Sequence, residues 1–126
     1  MIQNQIFQVQ NAIFQTLVEA NLGIDIITNR GAIVNYPYII FAGTKKQILT
    51  GLQTQTLTEI NIVTKDFSIT SPSVILQNIE SCLKTEILSQ HIEFYKVNDL
   101  RVISSETVPT SEGFFMGKLI VEVLLN

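Results

Sequence analysis

From Asn4 to Ala20 the apolar residues Ile6, Val9, Ile13 and Leu17 recur at three- and four-residue intervals, with Gln8, Gln15 and Glu19 facing away. That spacing forms one stripe on a 3.6-residue turn and predicts an amphipathic helix. Asn21-Leu22-Gly23 closes it, since glycine takes the left-handed backbone that helix ends often need. Phe7 and Phe14 widen the stripe and read as packing residues.

A different period follows. Ile24-Asp25-Ile26-Ile27-Thr28 reads as a short strand closed by Asn29-Arg30-Gly31, and Tyr36 to Gly43 as a second strand. Pro37 cannot donate to a ladder, which places it at a strand start or an edge. Thr44 to Gln55 has no clear period and reads as a long hairpin loop or an irregular strand pair. From Thr56 to Thr64 alternation is clean. Thr58, Ile60, Ile62 and Thr64 share one face, and Leu57, Glu59, Asn61 and Val63 the other.

Ser71-Pro72 opens the clearest helix, with serine as cap and proline in the first turn, where its missing donor costs nothing. Ile75, Leu76, Ile79, Cys82, Leu83 and Ile87 form its stripe, and it ends near Leu88–Gln90. Two long arms, Tyr95 to Glu106 and Phe114 to Leu125, then make a hairpin around Thr107–Gly113. In the last arm Leu119, Val121, Val123 and Leu125 alternate with Lys118, Ile120, Glu122 and Leu124. The order predicts one α+β domain over residues 1–126: a two-layer sandwich with an antiparallel sheet of four to five strands and two helices on one face.

Composition sharpens this picture in one respect. Charged residues are 15% of the chain, against roughly 25% in an average domain, and hydrophobic residues are 46%. A charge-poor, Ile-rich surface points to a homo-oligomer that hides part of it. The net charge is −3, and the only adjacent basic pair is Lys45-Lys46, so no clustered basic face for tight nucleic-acid binding is expected. No apolar run approaches the length of a membrane span, and the first residues lack the pattern of a secretory signal.

The search for chemistry finds little. His91 is the single histidine and Cys82 the single cysteine, so neither a two-histidine nor a thiolate metal site can be built within one chain. Cys82 reads as a small buried hydrophobe and His91 as a surface residue after the helix. No phosphate loop, nucleophile elbow or cofactor motif is present, and no cofactor is expected. Glu59 and Glu122 lie on strands that could bring them close, as solvated charges or as an acid/base pair. Thr50, Thr54, Thr56 and Thr58 read as an exposed strand edge open to a partner, or as a mobile polar loop. On the final strand Ile120 and Leu124 are left beside Lys118 and Glu122, away from the core. Either a neighbouring subunit or the chain's own 44–55 segment is expected to cover them. Candidate contact residues are therefore Lys45, Lys46, Thr54, Thr56, Lys118, Ile120, Glu122 and Leu124.

Nearly the whole chain, about Gln5 to Leu125, resembles the small tail-terminator and head–tail joining (tail-completion) proteins of long-tailed bacteriophages, prophages and gene-transfer agents. The resemblance rests on element order and hydrophobic pattern: the first helix, the Tyr36–Gly43 strand, Glu59–Thr64, the Ser71-Pro72 helix and the closing hairpin with Glu112-Gly113 at its loop. Thr64-Lys65 stands where that family carries an aromatic residue. The resemblance implies a structural virion protein with no catalysis, forming a ring commonly of six subunits. Such a ring, assembled in the host cytoplasm, stops the tail tube and receives a head-side connector or adaptor, and DNA passes its lumen without tight binding. Two other readings stay open. One is a small oligomeric enzyme or ligand-binding domain with a pocket between subunits using Tyr36, Tyr38, His91 and a carboxylate. The other is a neighbouring virion part, such as a head-side adaptor or tail-tube subunit.

Overall fold

The computed structural model describes residues 5–27, 37–49, 51, 53–65, 72–93, 95–109 and 113–126. Helix α1 spans Gln5–Glu19, strand β1 Asp25–Ile27, β2 Tyr38–Ile48 and β3 Thr54–Lys65. Helices α2 (Pro72–Cys82) and α3 (Thr85–Ser89) follow, then β4 (Val97–Pro109) and β5 (Phe114–Leu125). The five strands form one sheet in the order β1-β2-β3-β5-β4. Every neighbouring pair is antiparallel except β1–β2, which is parallel. The fold is α+β, with a mixed rather than wholly antiparallel sheet and three helices in place of the two expected. Ser71, Tyr36 and the turn Asn29-Arg30-Gly31 lie outside the described residues, as do positions 110–112 of the last hairpin loop.

The core lies between the helices and one face of the sheet. Val9, Ala12, Ile13 and Leu17 of α1 meet Ile39 and Phe41 of β2, Ile60 and Ile62 of β3, and Leu119, Val121, Val123 and Leu125 of β5, all buried. Ile75, Leu76 and Ile79 of α2 complete it, and Phe14 packs edge-on to Phe41 with ring centroids 6.3 Å apart. Alternation explains why β3 and β5 are central: each presents an unbroken apolar or hydroxyl-bearing row to the helices.

Local departures have local causes. α1 ends as the sequence indicates, with Asn21 (φ 53°) and Gly23 (φ 71°) both left-handed. The second helix breaks at Leu83-Lys84, where Lys84 is extended (φ −125°, ψ 147°). The break re-aims the chain so that Leu83 and Leu88 both reach the core, while Cys82 and Ile87 are half-buried. Cys82 is thus not the buried core residue expected of it. Its Sγ donates to the Asn78 carbonyl at 3.0 Å, and partial burial pushes its thiol pKa up, away from reactivity. Of the two readings for 44–55 the strand pair holds, and it is regular: β2 continues to Ile48 and β3 begins at Thr54, with Gly51 left-handed (φ 76°) between them.

Candidate functional site

The face of the sheet away from the helices carries the chain's most organised polar chemistry. Register places Gln55, Leu57, Glu59 and Asn61 of β3 directly opposite Leu124, Glu122, Ile120 and Lys118 of β5 on this face, and Arg101 of β4 opposite Glu122. Glu122 is only 4% exposed although no helix covers it, because its neighbours close over it. Arg101 Nε donates to its Oε1 at 2.5 Å, and Gln55 Nε2 to its Oε2 at 2.5 Å. The guanidinium hydrogen bond is the main cause holding the Glu122 carboxyl below its ordinary range; burial opposes it, and Gln55 and the charge of Arg101 reinforce it. The same pair holds the Arg101 proton more firmly.

A second pair runs beside the first. Lys118 Nζ lies 3.5 Å from Glu59 Oε1, and Asn61 Nδ2 donates to Glu59 Oε2 at 3.3 Å. Glu59 and Glu122 are diagonal neighbours on one face, as expected, but each is committed to its own cation. A general acid near neutral pH needs a carboxyl held up, and Glu122 is held down, so Glu122 is ill suited to that role.

On the β2 side of Glu59 lies a hollow of about 320 Å³ lined by Ala42, Gly43, Thr44, Lys45, Leu57, Glu59 and Ile120. It opens where β2 slips register between Phe41 and Gly43, and a side chain at Gly43 would meet nothing within 4 Å. Ile120 and Leu124 are half-buried here. Thr44–Ile48 and Thr54–Gln55 pair in the plane of the sheet and do not fold back over them, so these parts of the hairpin are not their cover.

Of the expected contact residues, Lys45, Lys46, Lys118, Ile120 and Leu124 keep accessible surface, and Glu122 is enclosed by its partners. Thr54 and Thr56 do not. With Thr58 they point to the helix side of β3, 5%, 0% and 0% exposed, and β3 has strands on both flanks, so they form no open edge. Thr56 Oγ1 donates to the Val123 carbonyl at 3.3 Å, and the Thr44 and Thr58 hydroxyls pair at 3.1 Å. The error comes from reading hydroxyls as wet; a threonine inside a sheet satisfies its oxygen locally and buries its methyl. Arg101 and Gln55 were missed because no short-range pattern links β4 to β3. Their partner Glu122, alone amid apolar residues, was the available signal.

The helix layer offers less. His91 Nε2 lies 3.1 Å from Glu19 Oε2, tying the end of α3 to the end of α1. Tyr38 stands on the opposite side of the sheet, so within one chain these two do not converge. A shallow depression of about 350 Å³ on α1 is lined by Phe7, Gln10, Asn11 and Phe14. Among the described residues no three His, Cys, Asp or Glu side chains are grouped to hold a metal, and no helix is long and apolar enough to cross a membrane.

No protein-family description matches the chain, and no curated protein matches it in sequence. Its architecture, however, belongs to a known class of α+β folds. A chain in the structure titled "Virion of native gene transfer agent (GTA) particle" superposes on it with a TM-score of 0.65 at 9% sequence identity, covering 98% of each chain. At that identity the likeness is one of fold.

Proposed function

We propose that this protein is a non-catalytic structural part of a phage-like particle: a ring subunit that terminates the tail tube and joins the tail to the head. The end-to-end match of fold with a chain of a gene transfer agent virion carries this reading, since the match covers 98% of each chain. The partners would be further copies of the chain, commonly six, the tail-tube protein on one side and a head-side connector or adaptor on the other. DNA would pass the lumen without tight binding, and assembly would take place in the host cytoplasm. Deleting the gene from its element and imaging the particles tests the reading. Full heads separated from tubes of uncontrolled length are expected, with joining restored by purified protein. Normally tailed particles in the deletion strain would overturn it.

A further inference from the structure

Resting on that ring reading, we infer that copies of this chain join edge to edge, β2 of one against β4 of the next, with Ile103 of one seated in the hollow beside Gly43 of its neighbour. Among the described residues, β4 and the Gly43–Ile48 half of β2 have an outer side without a strand partner. β1 covers only Tyr38–Ile40, so from Gly43 to Ile48 the outer side of β2 has no strand partner among the described residues. β4 closes the other side of the sheet. Three successive antiparallel pairings separate the two edges, so β4 runs opposite to β2. Copies set side by side, with neither turned over, therefore meet as an antiparallel pair.

Height along the strands agrees. Across the sheet, Gly43 is level with Glu59, Ile120 and Ser104, and Thr44 with Thr58, Val121 and Val102. Ile103 falls between those two rows, in the slip of register on β4, and is 51% exposed. At the same height a hollow on the open face runs inward from Gly43 of the far edge to Leu57 of β3 and Ile120 of β5, with no side chain at Gly43 to block its mouth. A branched aliphatic knob and an unfilled hole thus stand on opposite edges of one molecule.

Charge selects this pairing over its alternative. Two β2 edges brought together would set Lys45 and Lys46 of each copy against those of the other, which disfavours a two-fold dimer. β4 instead sets exposed Asp99 diagonal to Lys45, and Arg101, which stands level with Lys45, has its charge offset by Glu122. A β2-to-β4 contact joins unlike surfaces, and repetition of unlike contacts generates a ring when the rotation closes.

The test uses the whole chain in a Cys82→Ser background. Lys45→Cys protein mixed with Asp99→Cys protein and a short bifunctional maleimide should give a cross-linked pair, because diagonal neighbours across a strand pair lie within its reach. Either variant alone should give far less. Independently, Ile103→Lys should weaken self-association by about tenfold or more in sedimentation, with an unchanged melting temperature. A chain that assembles without the cross-link and tolerates Ile103→Lys overturns the edge contact and leaves the ring reading standing. A chain that stays monomeric throughout also overturns the edge contact. The deletion phenotype decides the ring reading separately.

Discussion

Arg101 and Glu122 are register partners on β4 and β5, and their ion pair is lopsided: the arginine side chain is 64% exposed and the glutamate 6%. A surface guanidinium caps a carboxylate that water scarcely reaches. The sheet therefore carries a negative charge in its open face that depends on two neighbours to stay there.

Acid should release it. The folded Glu122 carboxyl lies below its ordinary value of 4.5, so the stabilisation is complete above that value and disappears as pH falls through the lower folded one. Thermal melts should show wild type losing stability on acidification below about pH 4.5, and Glu122→Gln losing less over the same interval. Parallel acid limbs would show that Glu122 carries none of the dependence.

Val121 is fully buried among Thr58 and Val102 as register neighbours. Val121→Ala should cost roughly 1–3 kcal/mol in denaturant melts, because two methyl groups leave a close-packed site that only partly collapses. An unchanged midpoint would place this face of β5 outside the core.

Ile120→Lys separates folding from assembly. Ile120 is only half-buried and stands opposite Glu59, so a lysine can extend over the open face beside a carboxylate without disturbing the helix-side core. Circular dichroism and the melting temperature should be close to wild type, while light scattering should show lost assembly. A normal oligomer from this variant would remove the open face from the interface.

DNA affinity should be weak. Among the described residues Arg101 and Lys118 are paired with carboxylates, and Lys45-Lys46 is the only adjacent basic pair in the sequence. Few counterions are released, so titration in about 0.15 M salt should give no submicromolar binding, and added salt should abolish what remains. Submicromolar binding there would contradict passive passage.

Period was legible wherever burial was one-sided. α1, β3 and β5 emerged from spacing alone, and Phe114–Leu125 was bounded correctly, because each has one face in the core and one out. The Thr44–Ile48 half of β2 was not legible as strand, since it lies beyond the helices at an open edge and its Lys45, Lys46, Gln47 and Ile48 are all exposed. With no apolar face there is no alternation to read. The parallel seat of β1 was hidden for another reason: three residues carry too little pattern to fix a direction. Of the open face, Ile120, Leu124 and Lys118 were found because they interrupt the core row of β5. Gln55 and Arg101, from strands distant in sequence, needed the sheet itself.

The strand order also governs how this chain comes together in time. β3 sits between β2, its hairpin partner, and β5, with Thr54 paired to Leu125 and Lys65 to Phe114. Until β5 has been synthesised, one flank of the central strand keeps its hydrogen-bonding groups free and Ile60 and Ile62 lack the Leu119 side of their core. Such long-range pairing makes folding slow for a domain of this size and prolongs the interval in which a sticky half-sheet is available to the wrong partner. At high expression that interval favours collisions between unfinished chains, and chaperone demand should rise with expression rate more steeply than for a helical protein of equal length.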